Sequence, residues 1–166
     1  MNRNNIYPDF THLIRRRAGA LANVMGSDFF PEVRGNVRFY KTDYGTVVLT
    51  EIMGLPRSLG KCDNPIFAFH IHEGGSCHGH MSDPFAHALG HYNPHRCAHP
   101  YHAGDMPPLF GANGYAFLAF LSDRFTVDEI IGHTVIIHAG PDDFKTQPSG
   151  NSGVKIACGE IISLLR

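Results

Sequence analysis

Tryptophan is absent from this chain, and charge is scarce. Asp, Glu, Lys and Arg make up 17% of the 166 residues and sum to a formal net charge of −1. With no basic stripe anywhere, that balance excludes ordinary nucleic-acid binding, which depends on neutralising phosphates. Attraction for any charged substrate must then be local. No apolar run approaches the ~18 residues that a membrane span needs. A secretory leader is not expected either, because the start "MNRNNIYPDFTHLIRRR" is polar and the following "AGALANVMG" is short and interrupted by Asn23. The expectation is a cytoplasmic protein without membrane contact. Four cysteines pull the other way, since disulfides persist in oxidising compartments. There is no internal repeat and no dividing linker, so residues 18–166 read as one domain behind an appended segment, 1–17.

What is present is a succession of period-2 stretches separated by turn residues. They fall at 18–25, 34–41, 45–53, 66–72, 114–122, 133–138 and 154–163, with a short one at 106–110. "TDYG" (42–45) joins two of them at hairpin distance. "GYAFLAFLSD" and "HTVIIHAG" carry the aromatic and β-branched residues that strands favour. Helical periodicity is confined to "TVDEIIG" (126–132) and the tail. Seven or eight short strands of this kind predict an all-β antiparallel sandwich or barrel. Two connections, 73–105 and 139–153, are too long to be idle. Each begins directly after a histidine at a strand end, His72 and His138.

Histidine is the outlier, at 12 residues, with His70, His72, His78, His80, His87, His91, His95 and His99 crowded into one thirty-residue stretch. In "FAFHIHEGG" a strand would place His70 and His72 on one face and Phe67, Phe69 and Ile71 on the other. Two imidazoles side by side against an apolar backing call for a cation. "GHYNP" adds His91, "CAHPYHAGD" adds His99, His102 and Asp105, and "VIIHAGPDD" adds His138. Three His and a carboxylate suit tetrahedral zinc, and four imidazoles suit the tetragonal field of Cu(II). The seven residues serve two four-coordinate metals only when one imidazole bridges both.

These stretches, with "GNVRFYKTD" and "GNSGVKIACG", occur in an order that resembles the bacterial-type copper/zinc superoxide dismutase family from about residue 18 onward. The resemblance implies an eight-stranded Greek-key β-barrel with two long functional loops. It implies copper on His70, His72, His91 and His138, and zinc on His91, His99, His102 and Asp105, with His91 the bridge. The implied activity is disproportionation of superoxide to dioxygen and hydrogen peroxide, with His91 carrying a proton. Asp142 is implied behind the ligands, reaching His70 and His99, and a Cys77–Cys158 disulfide is implied between the metal loop and the last strand. A homodimer is common in the family.

The chain departs from the family pattern at Lys155, which stands in "SGVKIACG" where most members carry Arg. Lysine keeps the charge but lacks the planar fork, so the resemblance implies Lys155 as an anion guide with reduced activity. Cys62 and Cys97 are left over: Cys62 reads as structural or incidental, and Cys97 as a small loop residue or a competing zinc ligand. His78, His80, His87 and His95 read as solvated loop positions, and His12 and His133 carry no signal. The reading from another class is a metal-buffering module on the same barrel with little turnover. A zinc-only structural sandwich would leave His138 and the His70/His72 pair without a purpose.

Overall fold

The computed structural model describes residues 12, 15–57, 60 and 65–164; most of the N-terminal segment, and Cys62, lie outside the described residues. Nine strands are described: β1 Ala20–Gly26, β2 Arg34–Thr42, β3 Gly45–Met53, β4 Ile66–Phe67, β5 Phe69–His72, β6 Leu109–Phe110, β7 Tyr115–Ser122, β8 Thr134–His138 and β9 Lys155–Ser163. Seven form one curled antiparallel sheet in the order β5-β8-β9-β1-β2-β3-β7, and β4 pairs with β6 in a second, two-stranded piece. Non-sequential neighbours such as β9 beside β1 and β3 beside β7 are the long crossings of a Greek-key architecture. The fold is all-β, as expected. Among the described residues no helix is long and apolar enough to cross a membrane.

Nine strands replace the expected eight because the 66–72 run breaks at Ala68. Its N–H donates to Gly140 O at 2.7 Å and its carbonyl accepts from His138 N at 2.9 Å. The chain thereby leaves β6 and joins β8 within one residue. The "TDYG" hairpin is closed by the Thr42 hydroxyl, which donates to Gly45 O at 2.8 Å. Gly45 has φ +126°, and a Cβ there would collide with Ser122 O on β7, so only glycine fits. The expected helix at 126–132 shrinks to one turn, α1 Val127–Ile130, started by a Thr126/Glu129 capping box.

The core is the inner face of this sheet. Val24, Val37, Phe39, Val48, Ile52, Phe69, Ile71, Val135 and Ile137 are all fully buried there or nearly so. Strand β8 departs from simple alternation, being buried at all five positions. Its outer face is covered by the 73–90 segment, whose Phe85 and Ala88 pack on Ile136 and Cys158. The Cys77–Cys158 disulfide fastens that cover to β9. A doubly covered strand reads as a continuous apolar run, as the central "VII" of β8 does.

Candidate metal centre

Strand β5 positions the site. On one edge it pairs with β8, setting His70 opposite Ile136 and His72 opposite Thr134. On the other edge it pairs with the 73–105 loop: Ile71 N donates to Gly104 O at 2.9 Å, and Tyr92 N donates to Ile71 O at 2.8 Å. These ladder bonds set His91 beside His72 and Asp105 beside His70. Phe69 and Ile71 point into the core, so the histidines between them face outward, beneath the loops. Seven side chains from three distant parts of the chain meet there, all buried.

They form two groups that share one ring. His70, His72, His91 and His138 offer ligand atoms within 4.8 Å of one another, and so do His91, His99, His102 and Asp105. In the second group, His91 Nδ1 lies 2.7 Å from Asp105 Oδ1 and 3.3 Å from His102 Nδ1. His99 Nδ1 lies 3.1 Å from Asp105 Oδ2. The other nitrogen of the shared ring, His91 Nε2, is buried without a hydrogen-bond partner.

The surrounding hydrogen bonds fix which nitrogen each ring presents. Asp142 accepts from His70 Nε2 at 2.8 Å and from His99 Nε2 at 2.9 Å. An imidazole that donates from Nε2 keeps its lone pair on Nδ1. Both Nδ1 atoms are buried and have no hydrogen-bond partner. On the copper-type side, His72 Nδ1 donates to Leu89 O at 2.8 Å and His138 Nδ1 to Gly153 O at 3.1 Å. That leaves two Nε2 lone pairs facing each other at 3.3 Å. Two acceptors cannot bond to each other, and a cation resolves them. Burial, first, and the neighbouring imidazoles, second, push His72 well below its ordinary value and His138 to about 3. Burial likewise lowers His70 and His102. For Asp105 burial acts upward, but the His91 hydrogen bond and the adjacent rings outweigh it and hold the carboxyl below its usual range. At neutral pH His70, His72, His102 and His138 are therefore neutral imidazoles and Asp105 a carboxylate, the forms that metals bind.

The outer supports include groups that are not metal donors themselves. Gly150 has φ +69°, and a Cβ there would collide with the Asp142 carboxylate and lie 2.8 Å from His99 Nε2. Gln147 brackets His99, accepting from its N–H at 3.0 Å and donating to its carbonyl at 2.7 Å. Gln147 belongs to no donor pattern, and composition and spacing gave no signal for it, whereas Gly150 lies in "SGNSG", a glycine-bearing turn beside the site. A cavity of about 340 Å³ opens onto His72, His91, His138 and Lys155. The Lys155 ammonium lies at that mouth, 2.8 Å from Asp83 Oδ2 and 3.1 Å from Phe85 O. Asp83 sits in "SDPF", a stretch whose local role is a turn: its Oδ1 accepts from Phe85 N. Cys97 is exposed and outside both groups. His78, His80, His87 and His95 are exposed as well, while His133 donates to Glu73 O and stacks beside Tyr92.

The family profile of copper/zinc superoxide dismutase matches residues 33–161. The chain belongs to the copper/zinc superoxide dismutase family. Relatives in that family include Superoxide dismutase [Cu-Zn] 2 of Aquifex aeolicus, 34% identical over 78% of this chain and 80% of the relative. Superoxide dismutase [Cu-Zn] of Photobacterium leiognathi is 35% identical over 76% of this chain and 78% of its own length. Among solved structures, the Cu/Zn superoxide dismutase from Brucella abortus superposes with a TM-score of 0.70 at 23% identity, covering 85% of this chain and 98% of that one. A SOD-like protein from Bacillus subtilis gives 0.67 at 28% identity, over 84% and 96%. The first structure, at its low identity, speaks for the fold alone.

Proposed function

We propose that this protein is a superoxide dismutase, converting two superoxide anions and two protons to dioxygen and hydrogen peroxide. Copper would be held by His70, His72, His91 and His138, and zinc by His91, His99, His102 and Asp105. When bound, copper supplies a reversible one-electron couple and zinc a fixed charge that organises the loop. The observation that carries the reading is the buried His91 ring shared by both groups. Its Nδ1 faces Asp105 while its Nε2 is buried without a partner on the other side. That nitrogen is placed to take a proton and return it while Nδ1 stays on the zinc side.

The test is metal analysis paired with a superoxide assay on reconstituted protein. One copper and one zinc per chain with turnover supports the enzyme. Full loading of both metals without turnover supports a metal-buffering module instead. The Cys77–Cys158 bridge supports an oxidising compartment over the expected cytoplasmic one. If the protein works in the cytoplasm, blocking thiols at cell lysis should trap Cys77 and Cys158 reduced, visible as added mass.

Lys155 is proposed as the anion guide, with Asp83 setting its strength. An ammonium paired at 2.8 Å with a carboxylate presents little net charge to an approaching anion. Replacing Asp83 by Asn should raise the second-order rate several-fold at low ionic strength and steepen its decline with salt, while Lys155→Ala should lower and flatten it. Equal salt slopes in all three proteins would remove Lys155 from substrate guidance.

A further inference from the structure

The loop carrying His99, His102 and Asp105 is gripped from outside by a residue that no metal-ligand pattern contains. The Arg124 guanidinium, through Nη1, donates to Pro100 O at 3.0 Å, His102 O at 3.4 Å and Asp105 O at 3.3 Å. All three acceptors belong to one six-residue stretch, 100–105. Two of them are the backbone carbonyls of the very residues whose side chains enter the second metal group. We infer that Arg124 is a positioning residue for that group, holding the backbone from which His102 and Asp105 project. The inference rests on the zinc reading of the group and deepens it.

The grip is anchored at its own end. Arg124 lies between β7 and α1, and its N–H donates to the Ser122 hydroxyl at 3.2 Å. The next residue, Phe125, is buried against Phe39, and its carbonyl accepts from the buried Thr46 hydroxyl at 3.0 Å. The α1 capping box begins at Thr126. The guanidinium is thus mounted on the barrel and reaches across to the loop. Hydrogen bonds from a charged donor are the stronger kind, and the rigid guanidinium plane aims the two hydrogens of Nη1 at the three carbonyls, one hydrogen being shared between two of them. Within the loop, Asp105 N donates to His102 O at 3.2 Å, and His102 N donates to Asp105 Oδ2 at 3.0 Å. Those bonds fix the turn's shape; Arg124 fixes where the turn sits relative to the strands carrying the other ligands. Outer supports of metal ligands typically alter affinity by ~10–100-fold.

The experiment uses the copper- and zinc-loaded protein and follows zinc transfer to a chromophoric chelator. Cobalt(II) placed in the zinc group supplies a visible spectrum sensitive to ligand geometry. Arg124→Ala is expected to release zinc about tenfold faster and to change the cobalt bands, and Arg124→Lys to fall between it and wild type. Arg124→Gln, neutral and close in length, supplies the same reading if the alanine variant does not fold. Arg38→Ala, which removes a surface arginine paired with Glu51, is the control and should release zinc as wild type does. Release within twofold of wild type in the Arg124 variants, or cobalt bands no more altered than in the control, overturns the inference. A wild-type cobalt spectrum indifferent to His102→Ala overturns the zinc reading itself, and the inference with it.

Discussion

Asp142→Asn is expected to weaken both metal groups at once, by roughly one to two orders of magnitude in affinity. The carboxylate accepts three hydrogen bonds, from His70 Nε2, His99 Nε2 and Phe144 N. An amide of the same shape has one acceptor oxygen and one NH₂ donor. Whichever way it turns, the NH₂ meets an imidazole N–H. That ring must then lose its bond or change tautomer, moving its proton onto the Nδ1 that should face the metal. One substitution therefore disturbs His70 in the first group and His99 in the second. Competitive chelator titrations for each metal check this, and two affinities within twofold of wild type would show that Asp142 orients neither ring. The depressed pKa of Asp142, which the His70 hydrogen bond drives most strongly against the upward push of burial, keeps it the acceptor at neutral pH.

The second large effect concerns the disulfide. Cys77 and Cys158 are 81 residues apart in sequence, and closing a loop that long is worth about 4.5 kcal/mol in unfolded-chain entropy. Replacing both cysteines by Ser should lower the melting temperature by ~10–15 °C in a chain of this size. Calorimetry of the metal-free protein isolates this from metal stabilisation. The consequence reaches the site as well, because the fastened segment carries the Leu89 carbonyl that orients His72 and the Asp83 and Phe85 groups that hold Lys155. The double variant should therefore lose more of its affinity for copper than for zinc, whose ligands hang on the opposite end of the loop. A melting temperature within 3 °C of wild type would mean that packing of Phe85 and Ala88 on Ile136 alone secures the cover.

Much of this arrangement is legible in the residues for physical reasons. Strand β3 runs over 45–53, the span its alternation predicts, because one of its faces is core and the other carries Glu51 and other half-exposed groups. Period-2 patterning is then unambiguous. The 66–72 run hides its break, since Ala68 is as apolar as its neighbours and only the hydrogen bonds to Gly140 and His138 end one strand and begin the next. The metal donors stand out because imidazoles at strand ends have few other uses. Their supports do not. Asp83, Arg124 and Gln147 are ordinary turn and loop residues along the chain, and reach Lys155, the 100–105 stretch and His99 across 19 to 72 positions of sequence, where no local pattern can record them. Lys155 was visible as a cation in place of Arg, but its pairing with Asp83, 72 positions away, was not.

The whole account depends on one ring serving two cations. Diffraction data collected at the copper and zinc absorption edges from the fully loaded, oxidised protein test it most directly. The account predicts His91 Nδ1 and Nε2 each about 2.0–2.1 Å from a different metal, with zinc on the Asp105 side. A His91 ring turned away from either ion in that state would contradict it.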